Sequence, residues 1–299
     1  PRLAVHRFFC DTMGMSTQEK TLHTPRQVNL HTHSWYCGHG CGELSQYVEK
    51  AKELGLTALG FSEHCPVPEQ RWRNSRMEFS QLDRYIAECR GLQESTEELA
   101  VLCGFECDHE HAYAPWYKQE LLESGKVDYL AFGIHYLEGP HGRETYIRNL
   151  PPEKRWLHAY TDAYVDALLS DTYLFGVHPD LFAMFYTKWD EEAVSCSRSI
   201  LSCAAETGTP LEINGYGFRK PTIFAAEGER LQYPHRSFWE LAADHDVHVI
   251  VNSDAHAPED LDIRDLGPYQ LAEHAGLALS GWRVMARDEG GYTLRAERC

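Results

Sequence analysis

The sequence contains no uninterrupted apolar run of about 18 residues, so it offers no helix to span a bilayer. No long apolar stretch follows the first charges, and no secretory signal is read there. Positive charge is scarce: 28 Lys and Arg stand against 45 Asp and Glu, a net charge of −17. That balance argues against partnership with nucleic acid or an anionic membrane. Pro/Ser-rich linkers, low-complexity tracts and usable repeats are all missing, which favours one domain. There is no CxxC pair either. Cys37/Cys41 and Cys103/Cys107 share a four-residue spacing, but without a signal peptide the ten cysteines read as reduced thiols of a cytoplasmic protein.

What the chain does have is histidine, 17 of them, placed at the ends of segments. Residues 1–26 are mixed and polar without a period, and read as a poorly ordered leader; residues 27–299 read as a single barrel domain. From residue 27 short apolar runs alternate with helical patterns, the signature of βα units around a parallel sheet. Strands are expected at 27–33, 57–61, 101–107, 127–134, 173–178, 210–214 and 247–252. Helices are expected at 43–54, 79–98, 115–124, 153–169, 189–206 and 235–245, with a last one near 267–277. The segment from Trp282 to Leu294 predicts a hairpin turning at Gly290-Gly291.

Every expected strand finishes in a metal-type side chain. His31 and His33 close the first; alternation puts both on one face, and the turn through Gly38 can return His39 toward them. Glu63-His64 close the second strand, Glu106 the third with Asp108 and His109 nearby, His135 the fourth and His178 the fifth. Glu212 and Asn214 close the sixth, and Asp254 and His256 follow the seventh. The C-terminal ends of barrel strands open onto one face, where active sites are built. A joint pattern of this kind points to a multinuclear site, and imidazoles with carboxylates suit Zn, Fe, Mn or Co.

The ordered set His31-Thr32-His33-Ser34, Phe61-Ser62-Glu63-His64, Gly104-Phe105-Glu106, Gly133-Ile134-His135, Gly176-Val177-His178-Pro179-Asp180 and Ser253-Asp254-Ala255-His256 resembles the PHP (polymerase and histidinol phosphatase) family. Glu212-Ile213-Asn214, with Arg219-Lys220-Pro221 and Tyr233-Pro234, resembles its histidinol-phosphatase branch. The resemblance implies an α/β fold, a distorted (β/α)7 TIM-like barrel of the PHP type, holding three divalent ions (Zn, Fe or Mn). It implies His31, His33, Glu106 and Asp254 on the first ion, Glu106, His135 and His178 on the second, and His39, His64 and His256 on the third. Glu63, Asp108, His109 and Asp180 are expected to support these ligands.

The implied activity is hydrolysis of the small-molecule ester L-histidinol phosphate, a late step of histidine biosynthesis. Glu106 would bridge the ions, and Asp254 or His256 would protonate the leaving oxygen. Arg219, in a Gly-rich turn, and more weakly Lys220 are expected on the substrate phosphate, with Arg143, Arg148 or Arg155 as a second clamp. Glu138, Asp180 and Glu212 are candidates for the amine. Trp72, Trp116, Tyr216 and Phe218 are candidates to stack on the imidazole. His235 stands where this branch often carries a small hydroxyl residue. The runner-up is a PHP phosphoesterase for another small ester or a nucleotide. A non-catalytic metal-binding module is disfavoured, because all nine ligands are present and no basic patch is.

Overall fold

The computed structural model describes residues 22–139, 142–226 and 228–299. Seven parallel strands form one sheet in chain order: β1 (Val28–Asn29), β2 (Ala58–His64), β3 (Ala100–Asp108), β4 (Tyr129–Gly133), β5 (Phe175–Gly176), β6 (Leu211–Asn214) and β7 (Val249–Asn252). The sheet curls until its two edges nearly meet. Two buried carboxamides bridge that seam: Leu30 N donates to Asn252 Oδ1 at 2.7 Å, and Ser253 N to Asn29 Oδ1 at 2.7 Å. Beyond them a backbone bond from His33 N to Ala255 O, 2.8 Å, completes the closure. The first strand is therefore shorter than the 27–33 expected, because side-chain amides replace ladder bonds after Asn29.

Strand alternation assigns each residue its side. On β3, Val101, Cys103, Phe105 and Cys107 face the helix layer, while Leu102 joins the barrel interior with Val28, Leu30, Ala58, Tyr129, Ala131, Phe175, Val177 and Ile250. Both faces are covered, and all seven residues of β2 are buried. Gly60 and Gly104 are glycine for a steric reason. A Cβ there would lie 2.3 Å from the Tyr129 hydroxyl and 2.6 Å from its ring. That hydroxyl donates across the interior to Leu30 O at 2.7 Å.

The helices Leu44–Glu53, Leu82–Ser95, Lys154–Leu169, Glu191–Thr207, Arg236–Ala242 and Pro268–His274 occupy the expected segments. The expected helix at 115–124 runs as one α turn, Ala114–Trp116, and then a π turn, Tyr117–Glu123. The expected hairpin, Ser280–Ala286 with Tyr292–Arg298, closes the end of the barrel opposite the strand C-termini and contributes Trp282 and Leu294 to the interior cluster. Truncating a tryptophan so placed costs about 3 kcal/mol or more.

Residues 1–21 of the expected leader lie outside the described residues. Leu22–His23, by contrast, pairs with Arg283 and Trp282 as a third strand on that hairpin.

Candidate metal centre

The C-terminal ends of the strands share one mouth, as the pattern predicts. Its core is a quartet of donor atoms. His31 Nε2 and His33 Nε2 lie 3.0 Å apart. Glu106 Oε2 is 3.5 Å from the first and 3.3 Å from the second; Asp254 Oδ1 is 3.5 and 3.2 Å from them. Four ligands placed tetrahedrally at 2.0–2.1 Å from an ion are separated by about 3.3 Å. Beside this quartet stands a trio, with His135 Nε2, His178 Nε2 and Glu106 Oε1 mutually 3.1–3.3 Å apart. Glu106 belongs to both, one oxygen to each.

The His39 and His256 Nε2 atoms meet at 3.0 Å. His64, expected with them, leans instead toward Glu106 Oε2, 2.9 Å from its Nδ1. Its donors gather with Glu106 and His135, and also with His33 and His256. Its ring centroid is 5.5 Å from that of His39.

Four of the imidazoles have Nδ1 tied back, which aims Nε2 at the mouth. His31 is held by Glu212 at 2.8 Å and His135 by Asp108 at 3.0 Å. His39 is held by Cys37 O at 3.0 Å and His256 by Asp254 O at 3.0 Å. Metal-ligating histidines are oriented in this way. Glu212 is itself saturated by Asn252 and Asn214, so it is a brace for His31 rather than a free anion for an amine. Asp108 accepts from the buried Arg76 at 2.6 Å. Glu63 accepts from Ser34 N and Oγ and touches no substrate space. Cys37 commits its thiol to Ser34 O and Gly40 N, and burial pushes that thiol up to about 12.

The residues present fit a cation. Glu106 Oε2 and Asp254 Oδ1, the two oxygens aimed into the quartet, are buried without a hydrogen-bond partner. Burial lowers His31 and His33, but the neighbouring carboxylates outweigh it: His31 rises well above its ordinary value and His33 to about 9. A field that would hold protons there is one that attracts positive ions. Burial raises Asp254 and Glu106, yet the surrounding imidazoles hold both well below the usual carboxylate range. Burial and the His33 charge push His256 down to about 3. Asp254 and His256 thus present lone pairs toward the mouth near neutrality.

Two site residues bend the backbone to get there, His178 at φ 31° and Asp254 at φ 49°. Gly133 leaves room for His178, His135 and Glu106. A Cβ at that position would stand 2.8 Å from His178 Cε1, 3.0 Å from His135 Cε1 and 3.1 Å from Glu106 Oε1. Gly133→Ala is expected to lower kcat/KM for a phosphate monoester about 100-fold, the cost of displacing a reacting geometry by about 1 Å, with the circular-dichroism spectrum unchanged.

A cavity of about 310 Å³ opens above the donors, lined among others by Arg76, Tyr136, Tyr146, Tyr216, Lys220 and Tyr233. Lys220 borders this cavity, its ammonium 3.8 Å over the Tyr216 ring. Arg219 does not border it. The short turn Tyr216–Arg219 sends its guanidinium outward to Asp260, 3.0 Å from Nε, and to Asp260 O at 2.8 Å. Nor do Arg143, Arg148 or Arg155 line the cavity, Arg155 pairing with Glu153 instead.

Of the aromatic candidates, Tyr216 borders the cavity, stacked on His256 at 4.6 Å. Trp72 stacks on Tyr136, Trp116 packs on Phe79 and Tyr117, and Phe218 packs against Gly267. Glu138 is exposed on a hairpin strand. Asp180, fully buried, accepts from His235 N and Trp239 Nε1, and burial raises it to about 7. His109 turns away from the mouth toward Asp166. Sequence reasoning passed over Arg76. It stands with Arg71 and Arg73 in residues 65–78, a loop leaving a strand C-terminus, and that position was the available signal.

A barrel whose strand C-termini gather imidazoles and carboxylates at ligand spacing defines the class, an α/β barrel built around metal-type donors. The chain belongs to the PHP family: the description "PHP domain" matches residues 29–215. A protein of Deinococcus radiodurans named "Probable histidinol-phosphatase" is 31% identical over 243 residues, 78% of this chain and 88% of that one. A crystal structure of a histidinol phosphate phosphatase from Lactococcus lactis, complexed with Zn, L-histidinol and phosphate, superposes with a TM-score of 0.63 at 18% identity. It covers 86% of this chain and 96% of its own. A crystal structure from Listeria monocytogenes described as a "putative histidinol phosphatase" gives 0.66 at 22% identity, covering 81% and 99%. The structural likenesses establish the PHP-type barrel. No helix among the described residues is long and apolar enough to cross a membrane.

Proposed function

We propose that the chain is a metal-dependent phosphomonoesterase that hydrolyses L-histidinol phosphate to L-histidinol and phosphate in histidine biosynthesis, in the cytoplasm. Glu106 carries this reading: one buried carboxylate shared by a quartet and a trio of donors at ligand spacing. The substrate comes from the name borne by the Deinococcus relative, which is matched over most of its length.

His31, His33, Glu106 Oε2 and Asp254 would hold one divalent ion, and Glu106 Oε1, His135 and His178 a second. His39, His64 and His256 would hold a third, and zinc is the ion named with the Lactococcus structure. Such ions supply Lewis acidity that makes water nucleophilic at neutral pH and offsets phosphoryl charge.

The remaining work falls to the chain. Glu212, Asp108 and two backbone carbonyls fix the imidazoles before substrate arrives, so no reorganisation is needed during reaction. Lys220 on the cavity wall offers an ammonium to a phosphoryl oxygen. Arg76, locked by Asp108 and Cys65 O, adds a fixed positive charge nearby. The Tyr216 face is a flat wall against which an imidazole can lie.

A panel of phosphate monoesters tests the reading. kcat/KM for L-histidinol phosphate is expected to exceed that for p-nitrophenyl phosphate and for nucleoside monophosphates by about 100-fold or more. A nucleotide or another ester turning over better than L-histidinol phosphate would refute the substrate while leaving the chemistry.

A further inference from the structure

A second group of metal-type side chains lies outside the barrel mouth, where β3 runs into its following loop. His109 and His111 project from that loop toward Asp166 on the helix Lys154–Leu169. Asp166 Oδ2 is 2.7 Å from His109 Nε2 and 3.2 Å from His111 Nε2, and all three donors fall within 4.8 Å of one another. Asp162, one helical turn before Asp166, lines the same surface concavity.

Two features set this group apart from a surface ion pair. The His109 side chain is 3% exposed, and its Nδ1 is fixed by the Tyr173 hydroxyl at 3.0 Å, the kind of outer hydrogen bond that orients a ligating imidazole. His111, by contrast, is 87% exposed and could swing onto a cation with little resistance.

We propose that His109, His111 and Asp166, with Asp162 beside them, form a peripheral site for a single transition-metal dication of the Zn²⁺ type. Two imidazoles and a carboxylate leave one position of a tetrahedral ion for Asp162 or water, and the donor chemistry suits Zn²⁺ rather than Ca²⁺ or Mg²⁺. The 3.2 Å separation already matches the tetrahedral edge of about 3.3 Å, and the 2.7 Å contact has to open by about half an ångström. The ion would staple the loop leaving β3 to the helix Lys154–Leu169. The residue before His109 is Asp108, which holds His135 and Arg76, so the staple steadies the support of the barrel mouth without touching substrate.

Equilibrium dialysis of the purified holoenzyme against micromolar free Zn²⁺, followed by metal analysis per chain, tests this. Wild type is expected to retain one Zn²⁺ more than His111→Ala and one more than Asp166→Asn. Turnover of p-nitrophenyl phosphate should stay within about twofold in both variants, since these are surface changes away from the mouth. The same zinc content in wild type and either variant overturns the proposal, whether because the His109–Asp166 pair is a hydrogen bond alone or because the extra ion sits elsewhere.

Discussion

Glu106→Gln is expected to lower kcat for a phosphate monoester about 10⁴-fold while the protein still folds. The substitution keeps the shape of the side chain and removes the single charge on which the centre converges. Glu106 Oε2 faces His31, His33 and His64 at 3.5, 3.3 and 2.9 Å, and Oε1 faces His135 and His178 at 3.3 and 3.1 Å. An amide offers one oxygen where two are used and turns an N–H toward donors that want an anion. A carboxylate that would serve both donor groups at once counts for more than a single donor, so the loss is expected to exceed the 10²–10³ typical of deleting one preorganised donor. Steady-state kinetics on p-nitrophenyl phosphate, with the metal content of each preparation, measures it. Glu138→Gln, on the exposed hairpin strand, is the matched control and should be silent. A Glu106→Gln enzyme within tenfold of wild type would remove the shared carboxylate from the mechanism.

The position of Glu106 was legible before any coordinates because two regularities combine. A parallel sheet covered on both sides writes its strands as apolar runs, and the residue closing each run falls on one rim. Gly104-Phe105-Glu106 and Gly133-Ile134-His135 illustrate it. The glycine makes room, for Tyr129 in one case and for the donor cluster in the other, the large residue faces the helices, and the next side chain points into the mouth.

Direction inside irregular loops has no such period. Arg219 follows its strand as closely as Lys220 does, yet the turn Tyr216–Arg219 sends one to Asp260 and leaves the other on the cavity wall. Arg76 was missed for the converse reason: twelve positions separate it from His64, and only the fold of that loop returns it to Asp108. Long-range closure is equally silent. Asn29 and Asn252 reach across the seam between the first and last strands, and Leu22–His23 pairs with a hairpin near the other end of the chain. Neither neighbourhood announces its partner in local sequence.

Chelation is expected to abolish turnover and to lower the melting temperature by about 10 °C or more, both reversed when Zn²⁺ is restored. With the ions removed, Glu106 Oε2 and Asp254 Oδ1, the carboxylate oxygens aimed at the donor quartet, are left buried without hydrogen-bond partners. An unsatisfied buried group costs about 1–3 kcal/mol, and ions bound only to the folded state add their own stabilisation. At about 2–4 °C per kcal/mol for a chain of this size, these two groups and the lost ions together account for the fall.

The size of the effect should depend on pH, with a definite sign. In the ion-free protein burial lowers His33, but Asp254 and Glu106 raise it to about 9, above its ordinary 6.5. Protonated His33 therefore stabilises the ion-free fold fully below about pH 6.5, and that contribution is lost as the pH rises through about 9. Metal affinity moves the other way, since protons compete for the same nitrogens. Calorimetric melting of loaded and chelated protein at several pH values should show the two curves diverging from pH 6.5 to 9. Parallel curves, or full turnover after complete metal removal, would mean that the imidazoles and acids at the mouth are assembled for something other than cations.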